Sequence, residues 1–171
     1  MSDTKRLDES ETGFGRSGGN AWRGRVRRGA EGGAVATLVM TAHRLPVTRS
    51  LPPTAEFWSQ FVSRDGPYDH PVVALALHAL YGVLAGIGFA LLAFSREPVR
   101  GESGVGPPSP AGEATMTAWG LVYGLVLSAF GETVVLRAVL DVDPDDRFAF
   151  HVGHVLYGIT LGAWVGTRTA D

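Results

Sequence analysis

Residues 72–94 run for 23 positions without a formal charge. A hydrocarbon core about 30 Å thick is crossed by roughly 20 apolar helical residues, so this run is read as a membrane-spanning helix. Two more segments meet the same requirement. Residues 148–167 supply 20 positions interrupted only by His151 and His154, and 116–136 supply 21 with Glu132 near one end. A fourth segment, 30–46, has a shorter apolar centre over 32–42. Glu31, His43 and Arg44 flank that centre, where long side chains reach the interface. Arg27 and Arg28 precede it as they would a secretory leader, but no small-x-small cleavage pattern follows Ala42, so it is read as a crossing.

Composition removes several chemistries. The net charge of -2, with 19% charged residues, gives no excess to attract nucleic acid. The absence of cysteine excludes a disulfide framework, a thiolate zinc site, an iron–sulfur cluster and a cysteine nucleophile. Gly13, Gly15 and Gly18 have the spacing of a dinucleotide fingerprint, but no strand precedes them and no helix is expected after them, so no phosphate cradle is read there. No Walker loop or Ser/His/Asp order is present either.

The apolar runs divide the chain. Residues 1–28, carrying Lys5, Arg6, Arg16, Arg23, Arg25, Arg27 and Arg28 among glycine, serine and acids, are expected to form a disordered basic cytoplasmic tail. Residues 29–94 form a first transmembrane helix pair, 95–113 a flexible cytoplasmic linker rich in Gly, Pro and Ser, and 114–168 a second pair. Within the first outer loop, Phe57, Trp58, Phe61 and Val62 share a face, predicting an interfacial helix over about 54–63. Four crossings put ten of the fifteen basic residues on one side. Arg44, Arg49, Arg64, Arg137 and Arg147 lie on the other, diluted by Asp141, Asp143, Asp145 and Asp146. The expected location is therefore the cell membrane, with both termini cytoplasmic.

The chain also repeats itself. HALYGVLAG, starting at His78, recurs 76 positions later as HVLYGITLG, starting at His154, with five of nine residues identical. A weaker match relates the segment from Gly33 to that from Gly120. Each copy carries two crossings, so both have one orientation about an axis normal to the membrane. The expected fold is all-α: an integral membrane four-helix bundle built from a tandem two-helix repeat. Gly82 and Gly86, Gly120 and Gly124, and Gly158 and Gly162 are each spaced by four, the glycine-zipper pattern that lets helix backbones approach closely.

His78 and His154 each head such a stripe, with Tyr81 and Tyr157 one turn on. An imidazole in lipid needs a partner. Three roles fit: an interhelical packing bond; a proton or solute site formed with Tyr81, Tyr157 and Glu132; and a weak metal site in which His151 and His154 join His78 and Glu132. Glu132, Arg137 and Arg44 also fit simple interface anchors.

The segments GAVATLVMT, RLPVTRSLPPTAEFW, HALYG and HVLYG resemble small four-helix haloarchaeal and bacterial membrane proteins of unknown function and, more distantly, YagU-like inner-membrane proteins, over about residues 29–167. The resemblance implies a polytopic helical protein with a loose association with acid tolerance, and supplies no catalytic residue. The expectation is a structural or stress-related membrane component without enzymatic activity. Its partners would be the bilayer and a second copy, and no cofactor is expected. A proton-coupled or solute-conducting protein and a membrane-embedded metal-binding protein are the alternatives.

Overall fold

A computed structural model describes residues 8–94 and 110–168, with side-chain surroundings for 22–93 and 112–168. These residues are helical throughout, joined by short loops, with no strand among them. Helix α1 spans Asp8–Thr48. Helix α2, Thr54–Trp58, runs on as a wider π-helical turn over Ser59–Ser63. Helix α3 spans Pro71–Phe94, and α4 spans Pro110–Phe130 with a π-helical continuation, Gly131–Leu140. Helix α5 spans Arg147–Thr167.

Local chemistry explains several of these boundaries. Pro71 opens α3, where its missing N–H costs nothing. Asp146 caps α5 in extended conformation, its carboxylate accepting from the Ala149 N–H at 2.9 Å. Arg49, Arg64 and Asp141 take left-handed backbone conformations (φ 52°, 62° and 55°) where α1, the α2 extension and the α4 extension end.

Three helical stretches, 71–93, 112–140 and 147–167, are long and apolar enough to cross a membrane. At 1.5 Å per residue, the 21 residues of α5 reach about 32 Å. The fourth segment is not among the three. It lies inside α1, a 41-residue helix that begins at Asp8 and continues through Pro46 to Thr48.

Two boundaries are therefore corrected. Residues 8–28 belong to a helix and not to a disordered tail; the helix continues past Arg27, which pairs with Glu31 one turn on, and the Arg28 guanidinium donates to the Arg168 carbonyl at 2.9 Å. The second helix pair opens at Pro110, not 114, and its first member extends to Leu140. Residues 1–7 and most of the expected linker, 95–109, lie outside the described residues.

The helices form a row, α3–α1–α5–α4, in which each packs antiparallel on the next. Gly29, Gly33, Gly82 and Gly86 sit where α1 crosses α3: a Cβ at Gly29 would stand 2.6 Å from the Gly86 carbonyl oxygen. Gly120, Gly124, Gly158 and Gly162 do the same where α4 crosses α5, a Cβ at Gly162 falling 2.9 Å from the Thr117 Cα. Between the pairs, Ala36 and Met40 of α1 pack with Tyr157, Leu161 and Val165 of α5 and Phe89 of α3.

Half of the α5 span is buried, against 28% for those of α3 and α4, so α5 is an inner helix and the other two show their faces outward. Those faces are apolar. Leu80, Leu84, Leu92, Val122, Leu125 and Val126 are exposed, an arrangement suited to lipid and costly in water.

The row curls until α3 and α4 meet at one level, where the Tyr123 hydroxyl donates to the Ala85 carbonyl at 2.8 Å and its ring lies 5.3 Å from that of Phe89. Elsewhere α3 and α4 touch little, although α1 and α5 pack closely. The arrangement thus departs from even pseudo-twofold contact.

Candidate functional site

Where α3 and α4 diverge beyond Tyr123 they leave a cleft of about 260 Å³. Leu77, His78 and Tyr81 of α3 form one wall, and Gly131, Val135 and Leu136 of α4 the other. Phe150 and His154 of α5 form the floor, and Pro53, Thr54 and Phe57 the roof. The roof is tied to both sides: the Thr54 hydroxyl donates to the Ala74 carbonyl at 2.6 Å, and the Gln60 amide donates to the Leu140 carbonyl at 3.0 Å. Gly131 stands at the start of the π-helical segment and contributes no side chain to the space.

Both His78 and His154 line this cleft; His78, on the wall, is 8% exposed and His154, on the floor, 7%. His154 Nδ1 lies 2.9 Å from the Phe150 carbonyl. A carbonyl only accepts, so Nδ1 carries the proton, and in the neutral ring Nε2 keeps its lone pair. That nitrogen lies on the Gly131 side, 3.8 Å from where a Cβ at Gly131 would sit. Tyr81 is on the same wall and partly exposed. Tyr157 is buried and points away from the cleft's mouth, its hydroxyl donating across to the Gly82 carbonyl at 2.6 Å.

Glu132 does not join this group. A π-helical turn aligns residues five apart, so Glu132 faces Arg137, whose guanidinium donates to Oε1 at 2.7 Å. The other carboxylate oxygen lies 3.1 Å from His151 Nε2, and Arg147 Nε is 3.5 Å from Oε1. His151 Nδ1 in turn meets the Ser128 hydroxyl at 2.6 Å, which clamps α4 to α5. Asp143 completes the cluster, accepting from Arg147 at 2.9 Å; that hydrogen bond, ahead of the Coulomb attraction of Arg147 and Arg137, holds its carboxyl below the ordinary value.

The Ser128–His151–Glu132 relay has the residue types of a hydrolase, a pattern the linear order of the chain conceals. Its serine is 1% exposed inside a helix whose amides bond to its own turns, so neither a scissile carbonyl nor an oxyanion is accommodated. It is a packing clamp.

Metal ligation fares no better. His151 turns to Glu132 while His154 bonds Phe150, so the i, i+3 pair does not converge. No group of three His, Asp or Glu side chains among the described residues is arranged to hold a metal ion.

Arg44, read as an interface anchor, is instead buried. It donates to the Ser50 hydroxyl at 3.3 Å and the Leu51 carbonyl at 3.2 Å and lies 3.8 Å from Asp145, fastening the start of the α1–α2 loop to the α4–α5 loop.

Comparison with known protein families, curated proteins and solved structures returned no match.

Proposed function

We propose that the chain is a polytopic membrane protein with a structural or stress-related role and no enzymatic activity. It would cross the bilayer four times, with both termini cytoplasmic and a tandem two-helix repeat joined along glycine-zipper seams. The likeness to small haloarchaeal, bacterial and YagU-like membrane proteins belongs to the same reading.

One observation carries it: several polar side chains inside the apolar helices join one helix to another. Tyr157 bonds α5 to α3, Tyr123 bonds α4 to α3, and Ser128 with His151 bonds α4 to α5. Groups committed in this way support packing, at about 0.6 kcal/mol for a typical interhelical bond in lipid.

Topology is tested by accessibility labelling, for which the absence of native cysteine is convenient. Cysteines introduced at Ser63 and Asp143 are expected to react from outside, with those at Ser10 and Ser103 protected. Labelling of Ser10 from outside would overturn the orientation.

A proton- or solute-conducting role draws on the shared position of His78 and His154 beside one cleft. It loses Glu132 to the Arg137–Arg147–His151 cluster. Proteoliposomes containing the chain are expected to leak protons no faster than empty ones. A flux abolished by His78→Ala and His154→Ala would reverse the choice between the two readings.

A further inference from the structure

The cleft between α3 and α4 has the composition of a binding site for a lipid that ends in a hydroxyl group. Its walls are apolar, formed chiefly by Leu77, Val135, Leu136 and Phe150, and its volume of about 260 Å³ exceeds the roughly 150 Å³ of an apolar cavity that holds benzene. It opens between two helices whose outward faces are apolar, so the surrounding solvent would be acyl chains.

Yet the cleft is not chemically blank. His154 is more than nine-tenths buried, and its Nδ1–H is committed to the Phe150 carbonyl. Its remaining nitrogen therefore presents a lone pair on the Gly131 side of the cleft. Gly131 itself is closely packed, a Cβ there falling 3.1 Å from the Phe150 ring, so the space for a ligand is that between Leu77, Val135 and Leu136.

We propose that the cleft binds one apolar chain whose polar end is an alcohol, with the hydroxyl donating to His154 Nε2 and the chain lying against Leu77 and Val135. A carboxylate or a phosphodiester is not expected on His154 Nε2, because neither donates a hydrogen bond when ionised. The inference rests on the membrane reading above.

The test uses the full chain, labelled with 15N-histidine, in phosphatidylcholine nanodiscs, with 1-dodecanol as the probe and its methyl ether as the control without a donor. Dodecanol is expected to shift the His154 Nε2 resonance saturably, and the ether to bind about tenfold more weakly, the ratio one lost hydrogen bond gives. Leu77→Trp, which fills the cleft, should abolish the shift, and Val135→Phe provides an independent block should the first variant misfold. Equal binding of alcohol and ether, a shift that survives both blocking variants, or no saturable shift in a folded chain overturns the proposal. A chain that inserts with the expected cysteine labelling but ignores dodecanol defeats the cleft alone. One that does not enter the nanodisc defeats the membrane reading as well.

Discussion

A methyl group added at Gly158 would collide with the Gly120 carbonyl oxygen, whereas one at Gly24 would meet nothing nearer than the Arg28 guanidinium at 3.8 Å. Gly158→Ala is therefore expected to destabilise the chain by about 1–3 kcal/mol, the range of overpacking. Gly24→Ala should instead stabilise its helix by about 0.5–1 kcal/mol. Reversible unfolding in mixed micelles measures both. Tyr157→Phe removes the bond to the Gly82 carbonyl without changing the ring, and should cost about 0.6 kcal/mol and no more than roughly 1.7. The four-residue spacing of the glycines is visible in the sequence, whereas the close backbone approaches at them belong to the structure. The pairing of Glu132 was not legible, because it depends on a turn wider than the α-helix that spacing arguments assume. The burial of Arg44 also escaped notice, since its bonds go to Ser50, Leu51 and a carboxylate a hundred residues away in the chain.

At the scale of elements, helix termini set the mechanics. Asp146→Ala removes the cap of α5 and is expected to cost about 1 kcal/mol, seen as a lower thermal midpoint. Beside it, the Asp143 carboxyl lies below its ordinary value of 3.8 because Arg147 bonds its charged form. A carboxyl lowered by folding adds stability above its unfolded-state value and loses it as pH falls through the folded one. Hydrogen exchange over 141–147 should accordingly quicken as pH drops below about 4, after correction for intrinsic rates. Asp143→Asn should remove that dependence, and added salt should weaken it, as expected for an exposed pair. The three long apolar helices and the short helix bearing Phe57 and Phe61 were readable from hydrophobic runs and periodicity. The continuation of α1 back to Asp8 was not, because glycine and serine argue locally against helix there.

At the scale of the whole molecule, the row α3–α1–α5–α4 closes at Tyr123 among the described residues, and the cleft lies where α3 and α4 separate beyond it. Tyr123→Phe is expected to widen that separation, raising accessibility of a cysteine placed at Ala85 to a lipid-soluble reagent. A sequence repeat predicts equal contacts for equivalent helices. It does not reveal that Met40 packs into the α1–α5 seam at Gly153 while the Phe150 ring fills the α4–α5 seam at Gly131, where a Cβ would stand 3.1 Å from it.

The central position of α5 bears on how the polypeptide is made. Emerging from the ribosome after every other described helix, it is nevertheless the mate of α4 and a principal neighbour of α1. Until translation passes residue 167, α4 has no partner for its glycine face and Gly32 lacks the indole of Trp164. On the proposed membrane reading, a nascent product arrested before residue 147 would hold inserted but undocked helices, the state that membrane quality-control proteases are placed to remove.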